Sequence, residues 1–157
     1  MTSVQTFKKL QKGFTLIELL VVIGILAVLL AITLIAINPA RQFSQANNTK
    51  RASDVNAILN AVGQYAADNK GALPGAITAT VTEIGGTAGL IDLCPALVPT
   101  YIAGLPVDPL NAGGAPVTTC NATYTTDYEI SRSATDSRIT VTATETELGI
   151  ADISVTR

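Results

Sequence analysis

The strongest constraint on this chain is a long apolar run near its N-terminus. The run extends from Phe14 to Ile37, and its last nineteen residues, from Leu19 onward, carry no charge. A helix rises about 1.5 Å per residue, so a run of this length can cross a hydrocarbon core of about 30 Å. It is too long for the apolar part of a secretory signal peptide, and no small-residue cleavage site follows it directly. We therefore predict a transmembrane helix over residues 14–37.

The segment before the run, residues 1–13, is short, basic and free of acidic residues. Its charge comes from Lys8, Lys9 and Lys12. Lysines that flank a membrane helix favour the cytoplasmic side, which predicts a single-pass topology with the N-terminus in the cytoplasm and the chain beyond residue 40 outside. The formal net charge of −2 shows no excess of basic residues, so no specific nucleic-acid partner is predicted.

A single carboxylate, Glu18, interrupts the apolar run. An ionised side chain inside a membrane helix costs about 2.5–3.5 kcal/mol on insertion scales, and such residues often have a functional role. The alternative is that Glu18 lies close to the interface and reaches the water at little cost. The run itself does not decide between the two.

The residues around Glu18 resemble a known processing site. They read Lys12-Gly13-Phe14-Thr15-Leu16-Ile17-Glu18-Leu19. This string, with the basic leader and the uncharged run, is similar to the site at which type IV prepilins and the pseudopilins of type II secretion are cut. The resemblance is specific over residues 8–37, good from Asn38 to Pro74 and loose beyond.

The resemblance implies a role for each matching residue. A membrane peptidase would cut between Gly13 and Phe14 and then N-methylate Phe14. Glu18 would accept the new α-amine of a neighbouring subunit, which would set the axial register of a filament. The partners implied are other copies of the chain and other pilins, the prepilin peptidase, an inner-membrane platform protein and a cytoplasmic assembly ATPase.

A second helix is predicted over residues 38–70. Asn38 and Pro39 suit a helix start, and they predict either a kink in one long helix or a short break. Many members of the resembled family carry a helix-breaking proline where this chain has Ile35. The core-facing stripe is predicted from apolar residues at helical spacing, namely Val55, Ile58, Leu59, Val62, Tyr65 and Ala66. The polar stretch from Arg41 to Asp54 is expected to face other subunits, or else the solvent.

A small globular β domain is predicted over residues 71–157. Four β-like runs are expected to form strands, with loops over 85–116, and apolar residues alternate with threonines in the first and third of these runs. The runs are Ile77–Ile84, Thr118–Ile130, Ser137–Glu145 and Leu148–Val155. A long helix followed by a small antiparallel sheet is an α+β fold, which is the layout of pilins and pseudopilins.

The two cysteines, Cys94 and Cys120, predict one disulfide if the domain is exported; the alternative is two buried thiols in a cytosolic protein. There is no histidine, which excludes the common catalytic triads and histidine metal sites, and no enzyme is predicted. We also predict no cofactor and no metal. The run Leu105–Pro109 resembles a pseudopilin loop that can hold calcium, with Asp108 and Asp127 as conceivable ligands, but turn-forming aspartates are the favoured interpretation.

The sequence as a whole predicts a structural subunit of a type IV pilus-like surface filament, stored in the cytoplasmic membrane before assembly. One alternative is a pseudopilin of a type II secretion system, which would form a periplasmic pseudopilus. Another, of a different class, is a membrane-tethered adhesin or a module that captures DNA.

Overall fold

The computed structural model describes residues 13–75, 77–120 and 123–157. The chain divides into two units, one ending at Pro39 and the other running from Ala40 to Arg157, and each is described by itself. Its architecture is α+β and pilin-like: a long apolar helix, a second helix and a small antiparallel sheet.

The first helix, α1, spans Leu16–Ile37 and none of its residues is buried. It ends because Asn38 adopts a left-handed backbone conformation, with φ 46° and ψ 78°. A residue before proline avoids the α region, and asparagine tolerates positive φ better than most residues. The second helix, α2, spans Pro39–Asp68, so the helical stretch is broken at Asn38 and Ile35 lies inside α1.

The second unit packs one face of α2 together with a four-stranded sheet. The strands are β1 Thr82–Gly85, β2 Thr125–Arg132, β3 Ile139–Ala143 and β4 Ile153–Thr156, with a short helix α3, Cys94–Leu97, between β1 and β2. The sheet order is β1-β2-β3-β4, and every neighbouring pair is antiparallel.

The hydrophobic core lies between the predicted stripe of α2 and the inner face of the sheet. Four of the six predicted stripe residues are buried, and Tyr65 packs against the core at its margin. From the sheet, alternate residues of β2 and β3 face inward. The buried residues of this stripe and of the inner faces of β2 and β3 include Val55, Ile58, Leu59, Val62, Tyr128, Ile130, Val141 and Ala143.

The strands are shorter than the sequence pattern predicts. Only the end of the run from Ile77 is a strand, because the chain bends before Thr82 and does not pair there. The run from Leu148 was predicted wrongly at its start, since Leu148 and Gly149 both have positive φ and form a tight turn before β4. Alternation of apolar residues indicates a strand but does not mark where a turn ends it.

Candidate functional site

The start of α1 is a capping box. Thr15 is the N-cap residue, with an extended backbone, and its side-chain oxygen accepts a hydrogen bond from the Glu18 N–H at 3.3 Å. In return, the Glu18 carboxylate accepts the Thr15 N–H at 2.9 Å and the Thr15 hydroxyl at 2.6 Å, both at Oε2. This exchange satisfies amide donors that a helix start leaves without partners.

The two residues before the capping box are open to the surroundings. Phe14 is 90% exposed. Gly13 has no steric reason to be glycine, because a Cβ added there would meet no atom within 4 Å. The fold therefore does not require glycine at this position, and a requirement for it would have to come from outside the chain.

The surface of α1 is apolar on every side. Its side chains are exposed, and the helix is long and apolar enough to cross a membrane. An exposed apolar surface of this size needs a covering of lipid or of other chains. The basic leader residues Lys8, Lys9 and Lys12 lie outside the described residues.

In the second unit, the structure contains the predicted disulfide between Cys94 and Cys120. The bond joins the start of α3 to the segment before β2 and closes a separation of 26 residues, with the two Cα atoms 5.2 Å apart. Cys94 is fully buried in the core. The disulfide prediction is confirmed.

The most buried charge in the second unit is Arg51 of α2, whose side chain has no exposed surface. Its Nε and Nη2 atoms donate to the two carboxylate oxygens of Asp108, at 2.6 and 3.0 Å. Its Nη1 donates to Glu147 at 3.0 Å and to Asn48 at 2.9 Å. The bond to Asp108 raises the pKa of the Arg51 guanidinium, so the buried charge stays in place.

This arrangement corrects the expectation for the polar stretch of α2. Arg51 and Asn48 do not face other subunits or solvent; both are buried within their own unit. Their partners lie 57 and 99 residues away, so no local spacing could have revealed the pairing. Other members of the stretch, such as Arg41, are exposed as expected.

Glu147 is the second acid of this cluster and lies in the loop between β3 and β4. Hydrogen bonds from Asn47, Ser44 and Arg51 hold the pKa of its carboxyl below the usual value. Its backbone N–H donates to Asn48 Oδ1 at 3.0 Å, and its carbonyl accepts from Asn48 Nδ2 at 2.9 Å. The loop is thereby fastened to the first part of α2. We call this set of contacts the Glu147 clasp.

The two aspartates considered as calcium ligands have separate surroundings. Asp108 uses both carboxylate oxygens on Arg51, and it accepts the Leu110 N–H at 2.9 Å in the turn that the sequence predicts. Asp127 has positive φ in β2, and its N–H donates to Glu83 at 3.3 Å. In the described part of the chain, no group of three or more His, Cys, Asp or Glu residues is placed to hold a metal ion.

The comparison with protein families matches residues 8–34 to the prokaryotic N-terminal methylation motif. This motif is the signature of type IV pilin and pseudopilin precursors, which are structural proteins. It covers residues 8–13 of the leader, the capping box and most of α1, and with the apolar helix it fits anchoring in a membrane. No curated protein and no solved structure matches the chain.

Proposed function

We propose that the chain is the precursor of a filament subunit, cut between Gly13 and Phe14 and then N-methylated at Phe14. The observation that carries the proposal is the methylation motif at residues 8–34, set on a helix whose apolar surface is entirely uncovered. The open surroundings of Gly13 support a peptidase as the reason for glycine there, since an enzyme must bring that backbone close and hold it extended.

Before assembly, α1 holds the subunit in the cytoplasmic membrane, with the leader lysines on the cytoplasmic side. A cytoplasmic ATPase and a membrane platform protein then drive extraction, and the α1 helices of many copies pack together. In this step, the lipid around α1 is replaced by the α1 helices of neighbouring subunits. The subunit acts as a structural element without a cofactor, not as an enzyme.

Glu18 acts in assembly by pairing with the α-amine that cleavage creates on a neighbouring subunit. Both capping contacts use Oε2, which leaves Oε1 to accept from that amine. A carboxylate and an amine that pair inside an apolar bundle compensate each other, and an unpaired charge there is strongly disfavoured. Only one axial register satisfies every pair, so the contact sets the stagger between subunits.

The cut is tested with a matched pair of glycine variants expressed in a host that contains a prepilin peptidase. Gly13→Val is expected to accumulate at the length of the full precursor, because the branched side chain blocks close approach to the backbone. Gly24→Val, in the middle of α1, is the control, since an added Cβ meets no atom within 4 Å there either. Cleavage of Gly13→Val at the rate of the control would contradict the proposal.

A surface pilus and a periplasmic pseudopilus differ in the length of the filament and in its location. We favour the pilus and test it by electron microscopy of the sheared cell-surface fraction, labelled with antibody to the second unit. Long labelled fibres are expected. Labelled protein that stays in the periplasm, without fibres, would favour the pseudopilin.

A further inference from the structure

The Thr15 side chain marks the point at which α1 begins. The Thr15 backbone is extended, with φ −82° and ψ 152°, and Gly13 and Phe14 before it belong to no helix. In the described part of the chain, the first backbone hydrogen bond of α1 joins the Leu19 N–H to the Thr15 carbonyl at 3.3 Å. The peptide bond proposed for cleavage, between Gly13 and Phe14, therefore lies just outside the helix.

The Thr15 hydroxyl occupies the amide that would otherwise lengthen the helix, because the Glu18 N–H donates to it at 3.3 Å. In a longer helix that N–H would donate to the Phe14 carbonyl instead, since helical bonds run from residue i to residue i−4. The Ile17 N–H would then donate to the Gly13 carbonyl. Hydrolysis adds water across the Gly13–Phe14 bond at that same carbonyl, so a longer helix would hold the scissile carbonyl in a helical hydrogen bond.

The surroundings of the first turn favour a longer helix unless a cap prevents it. Leu16 and Ile17 are apolar and are 83% and 64% exposed. In the proposed function this turn adjoins the hydrocarbon layer, where little water is present to accept from free amides. An uncapped amide at position 18 would therefore bond to the nearest free carbonyl, that of Phe14. A side-chain acceptor at position 15 satisfies the amide locally, so lengthening gains no bond.

We propose that the Thr15 hydroxyl is a positioning group for cleavage: it makes α1 begin at Leu16 and keeps the Gly13 carbonyl free for the peptidase. A substrate segment that is already outside the helix loses less free energy to rearrangement when it binds. The role belongs to the hydroxyl and not to the Glu18 carboxylate, because the N–H at position 18 remains when that side chain is replaced. The inference rests on the proposed function, since it requires cleavage between Gly13 and Phe14.

The rate test compares replacements of Thr15 in the full precursor, held in detergent micelles and mixed with membranes that contain a prepilin peptidase. Thr15→Val keeps the shape and removes the acceptor, so kcat/KM is expected to fall about 2- to 30-fold, the range that corresponds to loss of an N-cap. Thr15→Ser and Thr15→Asn keep an acceptor and are expected to stay within about twofold of the natural chain. Thr33→Val is the matched control, since Thr33 lies within α1 and its hydroxyl donates to the Leu30 carbonyl at 2.9 Å.

A second measurement locates the start of the helix without the peptidase. Backbone carbon chemical shifts of the same proteins in micelles are expected to become helical at Gly13 and Phe14 in Thr15→Val. They are expected to stay non-helical in the natural chain, in Thr15→Ser and in Thr15→Asn. Slower cleavage of Thr15→Val with an unchanged helix start would mean that the peptidase contacts the hydroxyl directly, and the inference would be wrong. Recovery of the rate by serine but not by asparagine would lead to the same conclusion.

The natural chain in these assays separates failure of the inference from failure of the proposed function. If the natural precursor is not cut between Gly13 and Phe14, the proposed function falls and the inference falls with it. If the natural precursor is cut there and Thr15→Val has the same kcat/KM, the inference alone is overturned.

Discussion

At the scale of single residues, the second unit depends on a buried cation between two acids. Arg51 has no exposed surface and Asp108 is 1% exposed, so neither charge can turn to solvent if its partner is removed. The described residues include no buried side-chain nitrogen or oxygen without a hydrogen-bond partner. The ion pair is therefore fully satisfied, which is the condition under which a buried pair is tolerated.

Arg51→Met is expected to lower the free energy of unfolding by about 3–5 kcal/mol, because it leaves the buried Asp108 carboxylate uncompensated. The double variant Arg51→Met/Asp108→Leu removes both charges and is expected to recover most of this loss. Urea unfolding of the full chain in detergent, followed by circular dichroism, measures both. A loss below about 1 kcal/mol in the single variant would contradict the assigned role.

The second residue-scale prediction concerns acid. The pKa of Glu147 is lower in the folded chain than in the unfolded one, so its contribution to stability is present above the unfolded value and is lost as the pH falls through the folded value. Glu147→Gln should therefore be less stable than the natural chain near pH 7, and the gap should narrow below about pH 4.3. Unfolding midpoints across this range measure it, with Glu145→Gln as control; a gap independent of pH would contradict it.

At the scale of elements, the disulfide joins the start of a short helix to an irregular segment, and neither belongs to a strand of the sheet. Cys94 begins α3, and Cys120 lies in the connection that leads to β2. A covalent link of this kind acts mainly on the unfolded chain, whose freedom it restricts.

Reduction of the disulfide, or the variant Cys94→Ser/Cys120→Ser, is expected to lower the free energy of unfolding by about 3.5 kcal/mol, the loop-entropy value for a loop of this length. The urea midpoint with and without reductant measures the effect on the natural chain. The double variant should be insensitive to reductant. Equal midpoints for the oxidised and reduced natural chain would contradict the expectation.

The elements also differ in how well the sequence alone predicts them. The apolar stripe from Val55 to Val62 and the alternation in β3 depend on local periodicity, and they predicted the buried faces correctly. The pairing of Arg51 with Asp108 and Glu147 depends on contacts across 57 and 96 residues, which no local pattern encodes. The turn at Leu148 was missed for the same reason, because the clasp that holds its strained backbone comes from α2.

At the scale of the whole molecule, the second unit buries its apolar side chains and α1 does not. The second unit has its own hydrophobic core, and Arg51 forms its ion pairs with acids of the same unit. The helix α1 buries nothing, and its only carboxylate is held at its first turn by Thr15. A chain built in this way requires a covering for α1, and in the proposed function lipid covers this helix before assembly and further copies of the chain cover it afterwards.

Glu18→Ala is expected to be cut normally but to give few or no filaments, because the amine of each neighbouring subunit loses its partner. Thr15→Ala removes the capping hydroxyl and keeps the carboxylate, so it should assemble better than Glu18→Ala. Filament yield in sheared fractions, normalised to processed subunit, measures both. If Thr15→Ala were as defective as Glu18→Ala, the role of Glu18 would be capping and not pairing.

The central claim is the cut before Phe14, and the mass of the exported protein tests it most directly. Intact-mass measurement with N-terminal fragmentation is predicted to show a chain that begins at Phe14, carries one added methyl group on its α-amine and contains an oxidised Cys94–Cys120 pair. A chain that retains residues 1–13, or that begins at any residue other than Phe14, would contradict the account.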